Sequence, residues 1–146
     1  MSLKRIAIVG YGNVGKGVHR AVLTNEDMAV SGIITRDTKR TRKELVEKVK
    51  KVVSADSIHS IEALADETDV AILCGGSKKD LPEQGPIFAV HFNTVDSFDT
   101  HDKIPGFFEM MNGVASFHNH VSVISAGWDP GTYSINRILA ESFLPG

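Results

Sequence analysis

The chain has 146 residues, 42% of them hydrophobic and 23% charged, and its formal net charge is −2 at pH 7. These values are typical of one soluble globular domain, and they give no support to binding of nucleic acid or of an anionic membrane surface. No apolar run approaches the ~18 residues of a membrane span. The single cysteine excludes an intrachain disulfide, so we expect a protein of the reducing cytoplasm. We also expect no signal peptide.

The amino-terminal stretch carries the strongest motif of the chain. Residues 6–9 form a short, mostly β-branched apolar run, which is typical of a buried parallel strand. Gly10, Gly12 and Gly15 follow with the spacing G-x-G-x-x-G, and residues 14–23 then place apolar side chains at helical spacing. Strand, glycine turn and helix together predict a dinucleotide-binding loop.

Each glycine of this motif has a physical reason. Gly10 permits the tight turn, Gly12 lets the backbone approach a pyrophosphate, and Gly15 lets the helix pack close to the strand. The free N–H groups at the helix N-terminus would then hold the phosphates. The alternative is a glycine-rich turn that binds no ligand. The predicted cofactor contacts in this loop are Gly10, Tyr11, Gly12, Asn13, Val14 and Gly15.

The end of the second predicted strand, at residues 28–35, should select the cofactor. An acidic residue there would hold the ribose 2′-hydroxyl of NAD, whereas an arginine accommodates the 2′-phosphate of NADP. Thr35 and Arg36 can offer a hydroxyl and a planar set of donors to a phosphate, while Asp37 could instead accept from a ribose hydroxyl. The motif favours NADP, although Arg36 could also be a solvated loop residue paired with Asp37.

Strands and helices alternate along the rest of the chain. Strands are predicted near 52–53 and at 69–73, 91–95 and 121–125, and helices at 38–51, 60–65, from 81, 106–117 and 132–144. Ser60 is the predicted cap of the helix at 60–65. The alternation predicts an α/β fold of the Rossmann type, with a doubly wound, mainly parallel sheet in the order 3-2-1-4-5-6 and helices on both faces. We expect residues 1–146 to form one NADP-binding domain.

A second flexible turn, Cys74, Gly75, Gly76 and Ser77, follows the strand at 69–73. Because ligands of open α/β sheets bind at the carboxyl ends of the strands, we expect this turn beside the ribose or nicotinamide of the cofactor. Cys74 could be a nucleophile, but the spacing identifies no histidine partner. The preferred interpretation is a small residue packed under the cofactor.

Two carboxylates, Asp99 and Asp129, come after later predicted strands, and Trp128 precedes the second of them. An ammonium-bearing substrate would need such acceptors, with the indole as an apolar wall beside them. Both carboxylates also have local explanations. Asp99 could bond its own loop and orient His101, and Asp129 could be the N-cap of the last helix with Pro130 at its first position.

The sequence predicts no metal site. His118 and His120 lie two residues apart in a predicted loop, and no carboxylate at a fixed spacing completes a site with them or with His101.

Four motifs resemble the meso-diaminopimelate D-dehydrogenase family. They are GYGNVG at 10–15, PEQ at 82–84, TVDSFD at 94–99 and SAGWDPGTYSIN at 125–136. The first motif is shared by many dehydrogenases, whereas the last is far more specific. The resemblance covers nearly the whole chain, except for about 40–57.

The resemblance implies an NADP-dependent amino acid dehydrogenase, a homodimer of lysine and cell-wall precursor metabolism. Such enzymes reversibly deaminate the D-configured centre of meso-2,6-diaminopimelate to L-tetrahydrodipicolinate and ammonia. By the same resemblance, the three segments at 10–15, 35–36 and 74–77 would bind the cofactor, and Asp99, Trp128 and Asp129 would line the substrate pocket.

Family chains are much longer, and their substrate and dimerisation domain follows the last helix predicted here. The resemblance therefore implies that residues 1–146 lack that domain and are inactive alone. Two alternatives stay open. One is an NADP-dependent oxidoreductase of another substrate, such as a sugar or a semialdehyde, and the other is a non-catalytic NADP-binding module.

Overall fold

A computed structural model describes residues 3–45, 49 and 51–144 of the chain. The strands are β1 Lys4–Val9, β2 Met28–Thr35, β3 Val52–Ser54, β4 Val70–Leu73, β5 Thr94–Asp96 and β6 Ser122–Val123. The helices are α1 Asn13–Leu23, α2 Thr38–Glu44, α3 Ile58–Ala65, α4 Asp80–Ala89, α5 Ile104–Phe117 and α6 Thr132–Phe143, with a 3₁₀ turn at His101–Lys103 before α5. No helix within these described ranges is both long and apolar enough to cross a membrane.

The six strands form one sheet in the order β3-β2-β1-β4-β5-β6, and every neighbouring pair is parallel. The predicted order is thereby confirmed. Because all the strands run in one direction, their carboxyl ends meet at the same edge of the sheet. The glycine loop, residues 10–15, follows β1 at the point where the strand order reverses, which is where folds of this type bind their ligands.

Strand β1 is buried on both faces, as its continuous apolar run predicts. Ile8 faces a smaller cluster with Ile33 of β2, and Val18 of α1 packs against it. Ala7 and Val9 face the opposite side, where α3, α4 and α5 contribute to the larger cluster. Alternate residues of one strand thus attach helices to both faces of the sheet.

The larger cluster fixes the helices that follow β3, β4 and β5. It includes the buried side chains Ile61, Leu64, Leu81, Phe88, Phe107 and Met111. Burial of each such side chain contributes about 1.5–3 kcal/mol relative to exposure. The rings of Phe98 and Phe107 stack with centroids 4.2 Å apart, which anchors the loop after β5 to α5.

Three helix boundaries differ from the prediction by two residues or more, and one of them is the start of α5 at Ile104 rather than at 106. Helix α2 ends at Glu44 rather than continuing to 51, because Leu45 takes an extended ψ of 131° and packs against the smaller cluster; residues 46–48 and 50 lie outside the described residues. Helix α3 begins at Ile58, two residues early, because the hydroxyl of Ser57 rather than Ser60 is its cap. Ser57 accepts the Ser60 N–H at 3.3 Å.

The last two strands are shorter than predicted, at three and two residues. Ser125 lies two residues after the end of β6, and its φ of 59° is incompatible with a strand. Helix α6 spans 12 residues, close to the prediction, and none of its residues is buried. This edge of the sheet therefore carries far less packed structure than the centre.

Candidate functional site

A cleft of about 380 Å³ lies at the carboxyl ends of β1, β2 and β4. Its lining includes Gly10, Tyr11 and Gly12 from the loop after β1, and Thr35, Arg36 and Asp37 from the turn after β2. Cys74, Gly75 and Gly76 from the turn after β4 close the opposite side. Most of the residues expected to bind a cofactor are thus brought to one cleft. Asn13, Val14 and Gly15 belong instead to the first turn of α1, and Ser77 lies outside the lining of the cleft.

Geometry of the glycine loop requires glycine at two positions. Gly10 has a φ of +88°, which side-chain-bearing residues rarely adopt, and its N–H donates to the carbonyl of Ile34 at 2.8 Å. A Cβ at Gly15 would overlap the carbonyl oxygen of Gly10. At Gly12, by contrast, a Cβ would have no neighbour within 4 Å in the described part of the protein. The space in front of Gly12 is therefore open to a ligand.

The N-terminus of α1 is left for a ligand as well. Its N-cap is Gly12, and glycine has no side chain that could accept a hydrogen bond from the N–H groups of the first turn. Such an end offers backbone donors and a partial positive charge to an anion. Together with the open space at Gly12, this arrangement fits the pyrophosphate of a dinucleotide.

Tyr11 is one of the residues that line the cleft, but its side chain points into the protein. It is 2% exposed, and its hydroxyl lies 2.7 Å from Nδ1 of the equally buried His19 on α1. The pair ties the glycine loop to the helix it precedes. Sequence inspection missed His19, because a single histidine eight residues after a tyrosine carries no recognisable pattern.

In the turn after β2, Arg36 and Asp37 are the two candidates for a contact with the cofactor ribose or its phosphate, and the structure distinguishes them. The carboxylate of Asp37 accepts the backbone N–H of Arg40 at 2.9 Å and is the N-cap of α2. The guanidinium of Arg36 is 73% exposed, and its Nη2 lies 3.6 Å from Oδ1 of Asp80 rather than against Asp37. Arg36 is therefore the more available donor of this turn, and Asp37 is engaged in local structure.

Thr35 and Cys74 line the cleft with side chains that are largely withdrawn from it. The hydroxyl of Thr35 is buried and accepts from Thr41 Oγ1 at 3.2 Å. Burial raises the pKa of the Cys74 thiol to about 12, so the thiol stays protonated near neutral pH. A protonated thiol is a poor nucleophile, which agrees with a packing role for Cys74.

Asp80 is a cleft residue that sequence inspection missed. It is the first residue of α4, and its Oδ2 accepts the Gly76 N–H at 2.8 Å while Oδ1 faces Arg36. The carboxylate thus joins the turns after β2 and β4 across the cleft. An acid at the start of a helix after a glycine turn was a usable signal, since anions are favoured at helix N-termini.

The three residues expected to bind substrate lie beyond the cleft, at the ends of β5 and β6. The Asp99 N–H donates to Ser77 Oγ at 2.8 Å, which joins the loop after β5 to the turn after β4. Asp129 Oδ1 lies 3.3 Å from Nε2 of His101. Trp128 is 69% exposed and stacks on Tyr133 at a centroid distance of 5.8 Å. We call residues 97–101 and 125–129 the substrate edge.

Asp129 is not the N-cap of α6, contrary to one of its two interpretations. The cap is Gly131, whose φ of +148° delays helical dihedrals until Thr132. Asp129 instead accepts the hydroxyl of Ser134 at 3.1 Å and faces His101. Its carboxylate is therefore half-exposed and available at the surface of the substrate edge.

The histidines are engaged separately. His120 Nδ1 lies 2.9 Å from the carbonyl oxygen of Ala89, and His118 packs edge-on against Phe117. Among the residues that the structure describes, no group of three or more His, Cys, Asp or Glu side chains could hold a metal ion.

Comparison with known proteins relates the chain to dehydrogenases. A family model described as shikimate / quinate 5-dehydrogenase matches residues 1–95, which include all of the cleft. The meso-diaminopimelate D-dehydrogenase of Ureibacillus thermosphaericus is 50% identical over 145 residues, covering 99% of this chain and 43% of the relative. The enzyme of the same name from Corynebacterium glutamicum is 41% identical over 140 residues, covering 96% and 41%.

Solved structures extend the similarity to three dimensions. The C. glutamicum DAP dehydrogenase in complex with DAP has a TM-score of 0.78 at 39% identity, covering 99% of this chain and 42% of that one. An engineered D-amino acid dehydrogenase bound to NADP+ has a TM-score of 0.78 at 38% identity and the same coverage. The chain thus spans about two fifths of the length of these relatives.

The strand order, the open glycine loop and these matches identify a Rossmann-type domain of the kind found in dehydrogenases. By the family model, the chain belongs to the shikimate / quinate 5-dehydrogenase family, and over nearly its whole length it is similar to part of the meso-diaminopimelate D-dehydrogenases.

Proposed function

We propose that residues 1–146 form the cofactor-binding part of an NADP-dependent meso-diaminopimelate D-dehydrogenase. The reaction is the reversible oxidative deamination of the D-configured centre of meso-2,6-diaminopimelate to L-tetrahydrodipicolinate and ammonia. The observation that carries the proposal is the similarity to enzymes of that name across nearly the whole chain, including both the cleft and the substrate edge.

The bound nicotinamide would take up the hydride that leaves the substrate carbon. The chain's own contribution is to bind, orient and exclude water. Gly12 and the N-terminus of α1 would hold the pyrophosphate with backbone N–H groups. Gly10 would form the turn that places them, and Gly15 keeps that helix against β1. Gly75 and Gly76 would flank the ribose or nicotinamide of the cofactor on the other side of the cleft.

At the substrate edge, Asp99 and Asp129 would accept hydrogen bonds from the substrate ammonium group, with Trp128 as an apolar wall. Two contacts support this assignment. Ser77 links the Asp99 loop to the turn beside the cleft, and His101 links that loop to Asp129. Both carboxylates therefore belong to one continuous edge that borders the cofactor cleft.

Arg36 would bind the 2′-phosphate and so select NADP over NAD. Its support is the exposed guanidinium at the mouth of the cleft and the engagement of Asp37 as a helix cap. The charge-assisted contact should make NADPH bind at least about tenfold more tightly than NADH, or ~1.4 kcal/mol.

Fluorescence titration of the purified chain with NADPH and NADH tests this assignment. Arg36→Ala should remove most of the preference, whereas Arg20→Ala, an exposed arginine in the last turn of α1, should retain it. Asp37→Asn can still cap α2 and should leave NADH affinity unchanged. Equal affinities in the unmodified chain, or NADH binding lost in Asp37→Asn, would overturn the NADP assignment.

The proposal extends to the enzyme of which residues 1–146 would form a part. We place the substrate and dimerisation region outside residues 1–146 and expect a cytoplasmic homodimer, as the resemblance implies. The purified 146-residue chain should then show no turnover of meso-diaminopimelate with NADP+, because the proposal places part of the pocket outside these residues. Robust turnover would show that the chain suffices.

A further inference from the structure

A buried carboxylate stands at the base of the substrate edge. Asp96, the last residue of β5, is 2% exposed. Its Oδ1 accepts two backbone hydrogen bonds, from the Phe98 N–H at 2.9 Å and from the Ser125 N–H at 3.1 Å. Its carbonyl oxygen accepts a third, from the Ala126 N–H at 2.8 Å. One residue therefore joins the segment after β5 to the segment after β6.

The two partners belong to the substrate edge and precede its carboxylates in the sequence. Phe98 precedes Asp99, and its ring is buried against α5. Ser125 begins the segment that leads to Asp129, and its φ of 59° lies in a region that residues other than glycine seldom occupy. A conformation of this kind persists when surrounding contacts determine it. The Asp96 carboxylate supplies such a contact at the Ser125 N–H.

The other oxygen of Asp96 argues against a purely stabilising role. Within the described residues, neither Asp96 Oδ2 nor the buried hydroxyl of Ser125 has a hydrogen-bond partner. A buried polar atom without a partner costs stability, and an apolar residue would fill a strand end without that cost. Burial also raises the pKa of Asp96, although the N–H groups of Phe98 and Ser125 oppose the rise. What the carboxylate supplies is an acceptor that two loops share.

We propose that Asp96 is a positioning residue that fixes the Asp99 loop relative to the Trp128–Asp129 loop. It touches neither cofactor nor substrate. Its effect passes through the backbone of Phe98 and Ser125 to the side chains that follow them. The assignment of the two loops to substrate binding rests on the proposed function. The link that Asp96 makes between the loops does not depend on that assignment.

The chain offers a matched control and a local probe. Asn93 also bridges neighbouring segments, because its side chain donates to the Asp69 carbonyl at 3.0 Å and accepts the Val121 N–H at 2.9 Å. It does so before β5 and β6 begin, away from the substrate edge. Trp128 is the only tryptophan of the chain, so its fluorescence reports on the loop after β6 alone.

The experiment compares Asp96→Ala, Asp96→Asn and Asn93→Ala in the 146-residue chain. Amide hydrogen exchange is followed at Phe98 and Ser125, acrylamide quenching at Trp128, and NADPH affinity by titration. Asp96→Ala should accelerate exchange at both amides together by at least about tenfold and alter the quenching of Trp128. Asp96→Asn retains an acceptor oxygen and should restore protection at both amides. Asn93→Ala should affect Val121 and leave Trp128 unchanged.

NADPH affinity should stay within about twofold in all three variants, because the cleft lies on other strands. Unchanged amides and quenching in Asp96→Ala would overturn the proposal. A parallel loss of NADPH binding would overturn it too, since it would make Asp96 a general core residue. If the alanine variant does not fold, Asp96→Leu, which is close in shape, replaces it. Failure of the unmodified chain to bind NADPH would instead contradict the proposed function, and the exchange measurement would stand.

Discussion

The cofactor cleft and the substrate edge belong to one sheet but are built in different ways. Around the cleft, β1, β2 and β4 end in buried residues, and the ligand-facing groups are largely backbone atoms of glycine turns. The substrate edge follows strands of three and two residues and presents exposed side chains, with α6 beside it entirely unburied. In the proposed function, a cofactor common to many dehydrogenases would be held by rigid backbone, whereas the substrate would meet side chains that packing constrains less.

Paired leucine substitutions should give the largest contrast between these regions. Leu64 in the larger cluster is 1% exposed, whereas Leu139 on α6 is 52% exposed. Leu64→Ala should lower the free energy of unfolding by about 2–5 kcal/mol through lost burial and a residual cavity. Leu139→Ala should change it by no more than about 0.5 kcal/mol. Urea unfolding followed by circular dichroism measures both, and equal losses would show that α6 is packed in solution.

Glycine substitutions at the cap and in the body of α1 should separate binding from stability. The Cβ of Gly12→Val would meet open space, so the fold should tolerate it while the side chain occupies the pyrophosphate position. NADPH affinity should fall by about a hundredfold, or ~2.7 kcal/mol, with the melting temperature nearly unchanged.

Gly17→Ala is the control for that experiment. Gly17 lies further along α1, and a Cβ added there would again have no neighbour within 4 Å among the described residues. Alanine at this position should stabilise the helix by up to about 1 kcal/mol and leave NADPH binding intact. Unimpaired binding by Gly12→Val would contradict the placement of the pyrophosphate.

Two aspartates should give small effects of opposite sign on stability as pH changes. Hydrogen bonds from the Arg5 guanidinium and backbone N–H lower the pKa of Asp69 to about 2 from its ordinary value of 3.8. Its stabilising contribution is therefore full above 3.8 and is lost as the pH falls towards 2. Burial raises the pKa of Asp96, so its contribution declines as the pH rises above its ordinary value of 3.8.

Unfolding free energies measured from about pH 3 to about pH 7 check both signs. Relative to the unmodified chain, Asp69→Asn should lose more stability at the upper end of this range than at the lower end. The free energy of unfolding of Asp96→Asn, relative to that of the unmodified chain, should be highest at the upper end of the range. The same direction for both variants would contradict the different environments of the two carboxylates.

Local patterns were sufficient to predict the centre of the fold. The apolar run of β1, the glycine spacing and the alternation of strands and helices led to the observed strand order, because each of these signals acts over a few residues. The ends of elements depended on contacts that the pattern does not contain. Ser57 rather than Ser60 caps α3, and Gly131 displaces Asp129 from the cap of α6.

The least predictable site residues act across the sheet. Asp80 meets Arg36 from a different strand end, and Asp96 meets Ser125, which is 29 residues away. No spacing rule relates such pairs, since the topology of the sheet brings them together. Asp99, Trp128 and Asp129 were selected from their positions after predicted strands and from a family motif, and their substrate role stays a prediction.

The ion pair between Arg36 and Asp80 has a consequence for redesign of cofactor preference. Replacing Arg36 by an acidic residue alone would place a new carboxylate beside Asp80 and close to Asp37. Like charges at such distances disfavour ionisation and would repel one another across the cleft. A change towards NAD should therefore combine Arg36→Asp with Asp80→Asn, so that the neutral amide can donate to the incoming acid.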